Sequence, residues 1–175
     1  MRHIFHIALP ITMLFLSIAF IACQQTPQQV KHRNQQQPVD SALLAQLQFN
    51  SRMADQADKM CLNIVEADTL KYTLDDFGFW YTKTISLPSE TVQKGQEINV
   101  HIQISEIQGD LTYDTKMPIV VGTGDLPISI NRALKTMGIG EQMRIITPWY
   151  AAYGIEGTSV IKPYSNLIIL LTISQ

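Results

Sequence analysis

Between residues 98 and 105, apolar and polar residues alternate one by one along the chain. The apolar members of this pattern are Ile98, Val100, Ile102 and Ile104. Successive side chains of a strand point to opposite faces, so the alternation predicts a strand over residues 98–107 with one buried and one solvated face. Further strands are predicted where apolar runs lie between turn residues, at 72–84, 111–115, 118–121, 141–147 and 166–173.

Two other stretches have helical spacing. From Ser41 to Asp68, apolar residues recur every three or four positions without an intervening Gly or Pro. A second, shorter helix is predicted after Leu126-Pro127, and Gly138 ends it. Together these elements predict an α+β fold, in which a twisted antiparallel sheet wraps over one short helix and a long N-terminal helix precedes it.

The apolar stripe of the long helix requires a cover, because a helix in water buries its apolar face. Packing on its own domain satisfies this requirement. We predict this packing, and pairing with a second copy of the chain, as a homodimer through this helix, is the alternative.

The N-terminal residues have the pattern of an exported lipoprotein. Arg2 precedes an apolar run, 7–21, that is too short to span a membrane and is typical of a secretory signal. The residues before and including Cys23 resemble a bacterial lipobox, which predicts lipid attachment to that thiol; an ordinary signal with a chance cysteine is the alternative. The predicted organisation is therefore a signal peptide at 1–22, a Gln-rich tether at 23–39, an amphipathic helix at 40–68 and a folded domain at 69–175.

Composition and charge exclude several classes of function. The chain has 13 Lys and Arg against 15 Asp and Glu, and so no basic excess for nucleic acid. The four His residues are scattered, which gives no metal-ligand spacing, and His101 falls on the polar side of the alternating strand. We therefore expect no metal and no cofactor. With lipid on Cys23, Cys61 has no partner for a disulfide.

The last third of the chain contains an ordered set of motifs. These are Pro148, Ala152-Tyr153-Gly154, Gly157, Ile161-Lys162-Pro163 and Asn166-Leu167, preceded by Gly122, Leu126, Ala133-Leu134 and Gly140-Glu141. The set resembles the C-terminal signature of FKBP-type peptidyl-prolyl cis-trans isomerases. The lipobox, tether and helix ahead of it resemble the gliding-motility-associated isomerase lipoproteins, a branch of that family.

The resemblance implies an enzyme that rotates X-Pro bonds without covalent chemistry. Rotation is slow because the amide must lose conjugation, at a barrier of about 18–20 kcal/mol. By correspondence with the family, the catalytic residues are Tyr153, Asp114 and Tyr113. Those that bind the substrate are Ile102, Leu126, Pro127, Ile130, Ile161 and Ile169. Purely structural roles for Tyr153 and Asp114, the latter as a hairpin residue, are the alternatives.

Three of these positions depart from the family pattern. Ile130 replaces the tryptophan at the floor of the pocket, Ile169 a phenylalanine and Ile102 a tyrosine. Pro127 also lacks the backbone N–H that another residue would offer to a ligand. The replacements keep the cleft apolar and remove stacking surface. No family role is assigned to Trp149 and Tyr150, for which buried packing and an exposed contact patch are equally open.

The resemblance also implies partners and a location. The expected partners are proline-containing polypeptide clients, and the lipid on Cys23 would hold the chain on the outer membrane, facing the periplasm. Some periplasmic members of the family dimerise through N-terminal helices. A non-catalytic lipoprotein that uses the inherited cleft to bind or scaffold a partner is the alternative function.

Overall fold

The computed structural model describes residues 40–107 and 109–174. Residues Asp40–Gln175 form one compact unit. The predicted signal peptide, the tether and the lipidation site at Cys23 lie outside the described residues.

The first element is helix α1, Ser41–Ala67, where the sequence predicted it. Asp40 caps it, since its Oδ1 accepts a hydrogen bond from the Ala42 N–H at 3.0 Å. Ala57 and Cys61, four residues apart on one face, are fully buried. The leucines of the first turns are instead about half exposed (Leu43 52%, Leu44 45%, Leu47 55%). Packing on its own domain begins at Phe49 and Asn50, which contact Tyr164, and leaves the first turns of α1 uncovered. Within the described residues, no helix combines the length and apolar character needed to cross a membrane.

Six strands form a single antiparallel sheet. They are β1 (Thr73–Leu74), β2 (Trp80–Ile85), β3 (Glu97–Glu106), β4 (Leu111–Val120), β5 (Gln142–Thr147) and β6 (Leu167–Ser174). Their order across the sheet is β1-β2-β5-β6-β3-β4, so β5 and β6 are central and β1 and β4 are the edges. The two α-helices among the described residues are α1 and the short α2, Ile128–Leu134. This is the predicted α+β fold.

Two strand boundaries differ from the prediction. β4 is one strand of ten residues rather than two shorter strands. Pro118 pairs with Asn99 within it, and an edge strand tolerates proline because only one side of the strand pairs with a neighbour. The stretch 72–84 is divided by a turn at Asp75, whose carboxylate accepts from the Phe77 N–H at 3.0 Å. Gly78 in this turn has φ 82°, a conformation that favours glycine.

The sheet has two differently covered faces. Ile145 belongs to the main core with α2, whereas the next residue, Ile146, is equally buried but outside that core. Since neighbours in a strand point to opposite faces, Ile146 marks the outer face, where α1 contacts β5. Asp68 at the end of α1 lies 3.6 Å from the Arg144 guanidinium of β5. The inner face carries the larger core and the candidate site.

Candidate functional site

Seven of the nine predicted active-site residues lie together on the inner face of the sheet. Four are isoleucines that are at most 2% exposed, and three are half-buried side chains packed against the same core. The isoleucines are Ile102, Ile130, Ile161 and Ile169, and the half-buried residues are Tyr113, Leu126 and Tyr153. The isoleucines thus form the floor of the candidate site, and only the two tyrosines and the leucine reach its surface.

Tyr153 lies in the turns that follow β5 and the 3₁₀ turn Trp149–Ala151. The Gly154 N–H donates to the Trp149 carbonyl at 2.9 Å, and the Gly157 N–H donates to the Tyr153 carbonyl at 3.1 Å. Asn166 holds the start of this segment, because its Oδ1 accepts from the Trp149 N–H at 3.0 Å. The backbone of Tyr153 is therefore fixed from both sides, which presents its ring to the core.

The hydroxyl of Tyr153 makes no hydrogen bond to any described residue. Burial of the ring, together with the neighbouring Tyr113, raises the pKa of Tyr153 to about 12. Its phenol is therefore protonated throughout the physiological pH range. Tyr113 has no side-chain hydrogen bond within the described residues either. The two phenols can accordingly act as donors to the carbonyl groups of a ligand.

Leu126 and Pro127 lie at the start of α2. Pro127 is the N-cap residue, and its carbonyl accepts from the Asn131 N–H at 2.9 Å. The Asn131 side-chain amide donates to the Leu126 carbonyl, which ties this segment to α2. Leu126 packs on the core, while Pro127 is half buried and outside the cluster. Pro127 therefore shapes the entry to α2 more than it lines the site.

The prediction that Asp114 faces Tyr153 across the cleft is wrong. Tyr113 pairs with Ile104 of the inner face, and the next residue, Asp114, pairs with Gln103 of the polar face. Asp114 Oδ1 lies 2.6 Å from His101 Nε2, and its Oδ2 accepts from Gln103 Nε2 at 2.9 Å. The hydrogen bond with His101, then that with Gln103, holds the pKa of Asp114 below its ordinary value. Strand alternation is the physical reason, because two successive residues of a regular strand cannot line one cleft.

Sequence reasoning overlooked the basic residues on the exposed side of α2. Arg132 donates from Nε to Asp75 Oδ2 at 2.8 Å, and its guanidinium lies 4.8 Å from the centre of the Phe77 ring. Lys135, one turn further, is exposed. The spacing of three residues places both on one side of α2, and this signal was available in the sequence.

Trp149 and Tyr150 have different environments. Trp149 is 7% exposed and packs edge-on against Tyr164, with ring centroids 4.8 Å apart. Tyr150 is 38% exposed and donates a hydrogen bond to Asp58 of α1. Of the two roles considered from the sequence, buried packing applies to Trp149. Tyr150 instead attaches α1 to the 3₁₀ turn that follows β5.

No group of three His, Cys, Asp or Glu side chains suited to a metal ion occurs in the part of the chain that the structure describes. In sequence, residues 88–173 match the family model of FKBP-type peptidyl-prolyl cis-trans isomerases. No curated protein matches the chain significantly.

Solved structures share the fold. A peptidyl-prolyl cis-trans isomerase from Pseudomonas syringae pv. tomato str. DC3000 aligns with a TM-score of 0.61 at 15% identity, over 71% of this chain and 93% of its own. AtFKBP13 aligns with a TM-score of 0.55 at 18% identity, over 59% and 96%. FkpA from Escherichia coli aligns with a TM-score of 0.59 at 16% identity, over 77% and 68%.

Proposed function

Because the chain belongs to the family of FKBP-type peptidyl-prolyl cis-trans isomerases, its chemistry is rotation about X-Pro bonds, and we propose that its substrates are exported polypeptides. The observation that carries this assignment to particular residues is the unbonded hydroxyl of Tyr153. This donor stands beside Tyr113, above a floor of buried isoleucines. A proline ring fits such an apolar surface, and the carbonyl next to it can accept from the phenol.

The arrangement favours the twisted amide in two ways. Apolar surroundings disfavour the planar, more polar amide relative to the twisted one, because the twisted form has lost the charge separation of conjugation. A fixed donor also stabilises the carbonyl in one orientation without reorganising during the reaction. No nucleophile or general base is required, since no bond is made or broken.

Isomerisation of a short peptide tests the proposal directly. The full chain, purified in detergent micelles, is mixed with peptides that contain one neutral X-Pro bond, and cis-to-trans relaxation is followed by NMR exchange. We expect a relaxation rate that increases linearly with enzyme concentration. A rate equal to the uncatalysed background at every enzyme concentration would leave the binding or scaffold function as the better account.

We further propose that the chain works in the cell envelope, attached through lipid on Cys23 and facing the periplasm. The support is the sequence before Cys23, in which an apolar run of signal-peptide length, 7–21, is followed by the small residue Ala22. Replacing Cys23 by Ser removes the thiol that lipid attachment needs. We expect the variant to leave the outer-membrane fraction and to lose incorporation of labelled fatty acid. An equally labelled, membrane-bound variant contradicts the anchor.

The exposed start of α1 favours a second role, which is pairing with another copy of the chain. Leu43, Leu44 and Leu47 lie on one side of the helix and are about half exposed. Replacing all three by Gln should convert a dimer to a monomer in light scattering at micromolar concentration. A parent chain that is already monomeric at that concentration contradicts the pairing.

A further inference from the structure

A cavity of about 340 Å³ adjoins the candidate site. It lies between the loop that follows β4 and the exposed side of α2, and its lining includes Gly122, Gly124, Leu126, Arg132 and Lys135. Leu126 also packs against the core cluster, as Tyr113 and Tyr153 do. The cavity and the candidate site therefore share a wall, and a polypeptide with its proline above the isoleucine floor has a neighbouring residue within reach of the cavity.

The charges around this cavity are mainly positive. Lys135 makes no ion pair with any described residue, and Arg132 uses only Nε for Asp75, which leaves both terminal nitrogens of its guanidinium without a partner in that part of the chain. The aliphatic stem of Lys94 lies beside the loop, since its Cγ is 3.1 Å from the position that a Cβ on Gly122 would occupy. Asp75, on another segment, forms an ion pair with Arg132. Within the loop that follows β4, the acidic residue is Asp125.

The loop itself supplies further donors. No described residue accepts a hydrogen bond from the backbone N–H groups of residues 122–126, although Val121, just before them, donates to Gln96 at 2.9 Å. Gly122 and Gly124 have φ values of 83° and 90°, which side chains rarely adopt. Turns of this kind can direct successive N–H groups toward an anion. Cations and unpaired amides on one cavity, next to an apolar surface, suit a carboxylate that belongs to an otherwise apolar ligand.

We propose that this cavity binds an acidic side chain of the client, close to the proline, so that the enzyme prefers X-Pro bonds with a neighbouring Glu or Asp. The proposal rests on the isomerase function and specifies its substrate class. The floor of the site takes the proline, and Lys135 with Arg132 takes the carboxylate. The preference is electrostatic, so it decreases with salt.

Peptide series with a single proline test the preference. Each series places Glu, Gln or Lys at one position, from three residues before the proline to two after it, and kcat/KM is measured by NMR exchange with the full chain. We expect one position at which Glu exceeds Gln by about two- to fivefold, the range of a partly exposed ion pair, and exceeds Lys by about tenfold. Raising the salt concentration to 1 M should remove both differences.

Two exposed lysines provide a matched pair of variants. Lys135→Gln should abolish the preference for Glu, and Lys135→Glu should reverse it toward Lys. Lys116→Gln removes the same charge from β4 on the opposite face of the sheet and should leave the preference as in the parent. Equal rates for Glu, Gln and Lys peptides at all five positions would overturn the proposal, as would loss of the preference in Lys116→Gln.

A failure of the isomerase function is recognised separately, because the neutral Gln peptides would then show no turnover at all. In that case fluorescence anisotropy of labelled peptides measures their binding affinity for the same cavity. Tighter binding of the Glu than of the Lys peptide, lost in Lys135→Gln, still supports the acidic subsite. Equal binding of the two peptides rejects it.

Discussion

His101 Nε2 lies 2.6 Å from Asp114 Oδ1 on the outer face of the sheet. Asp114 is thereby held away from Tyr113, its neighbour in the sequence, which packs on the inner face. A carboxylate on the outer face can neither contact a proline above the isoleucine floor nor receive a hydrogen bond from Tyr153. The candidate site therefore offers phenols and apolar surface, without the carboxylate of Asp114.

Asp114→Asn should leave prolyl isomerisation within about twofold of the parent, because the substitution changes only the outer face. The measurement is kcat/KM on a neutral peptide. The pKa of Asp114 is lowered by His101 and Gln103, so the parent draws stability from this carboxylate above its ordinary pKa of 3.8 and loses it as the pH falls below. A tenfold loss of activity in Asp114→Asn would contradict the placement of Asp114 outside the candidate site.

Tyr153→Phe should lower kcat/KM about five- to hundredfold, since it removes one hydrogen-bond donor worth about 1–3 kcal/mol from the twisted amide. Because the pKa of Tyr153 is about 12, activity should not titrate with this residue between pH 6 and 10. Tyr150→Phe is the matched control, since that hydroxyl donates to Asp58 of α1 instead. Equal activity in the two variants would exclude Tyr153 as the donor.

Glu141 is a buried carboxylate whose oxygens are fully used. It accepts from Lys83 Nζ at 2.6 Å, from the Gly138 N–H at 2.7 Å and from the Leu87 N–H at 3.1 Å. Burial acts to raise the pKa of Glu141, but these hydrogen bonds outweigh it and hold the pKa below the ordinary 4.5. The carboxylate thus ties the turn after α2 to the segment that follows β2.

Glu141→Gln should reduce the free energy of unfolding by about 2–3 kcal/mol at pH 7, because charge-assisted hydrogen bonds are replaced by weaker ones. Because the pKa of Glu141 is lowered in the folded state, its contribution to the free energy of unfolding is present above pH 4.5 and is lost as the pH falls through the folded-state pKa. The difference between parent and variant in urea unfolding should therefore shrink toward pH 3. A difference that is constant from pH 7 to pH 3 would contradict the assignment.

Ala57→Glu should detach the C-terminal half of α1, since it places a charge at a position that is 1% exposed. We expect a loss of about 2–4 kcal/mol in denaturant unfolding. Ala45→Glu makes the same substitution at an exposed position of the same helix and should stay within about 0.5 kcal/mol of the parent. Equal stability of the two variants would mean that α1 does not pack on the sheet in solution.

Ile130→Trp should destabilise the fold by about 1–3 kcal/mol, because Ile130 is fully buried on α2 and a larger ring overpacks the core. Ile130→Val, which removes one methyl group, should cost about 0.5–1.5 kcal/mol at the same position. Thermal unfolding compares the two. If the tryptophan variant instead gains both stability and turnover, the floor of the site has room for an aromatic ring.

The sequence alone determined the elements that depend on local periodicity. The alternation around Ile102 specified β3 because side-chain direction in a strand repeats every two residues, and the spacing from Ser41 specified α1 for the analogous reason in a helix. Motifs fixed in order along the chain, such as Ala152-Tyr153-Gly154, were enough to indicate the family and the loop that carries Tyr153.

Only the tertiary structure decided which of these residues meet. The pairing of Asp114 with Gln103 put its carboxylate on the outer face, and nothing local to residues 113–114 specifies which strand lies opposite. Packing of α1 on Tyr150 and β5 likewise covered most of one continuous apolar stripe and left its first turns exposed. The cations of α2 and the loop at Gly122 come together only through the fold, because side-chain contacts between distant segments depend on sheet order and helix placement.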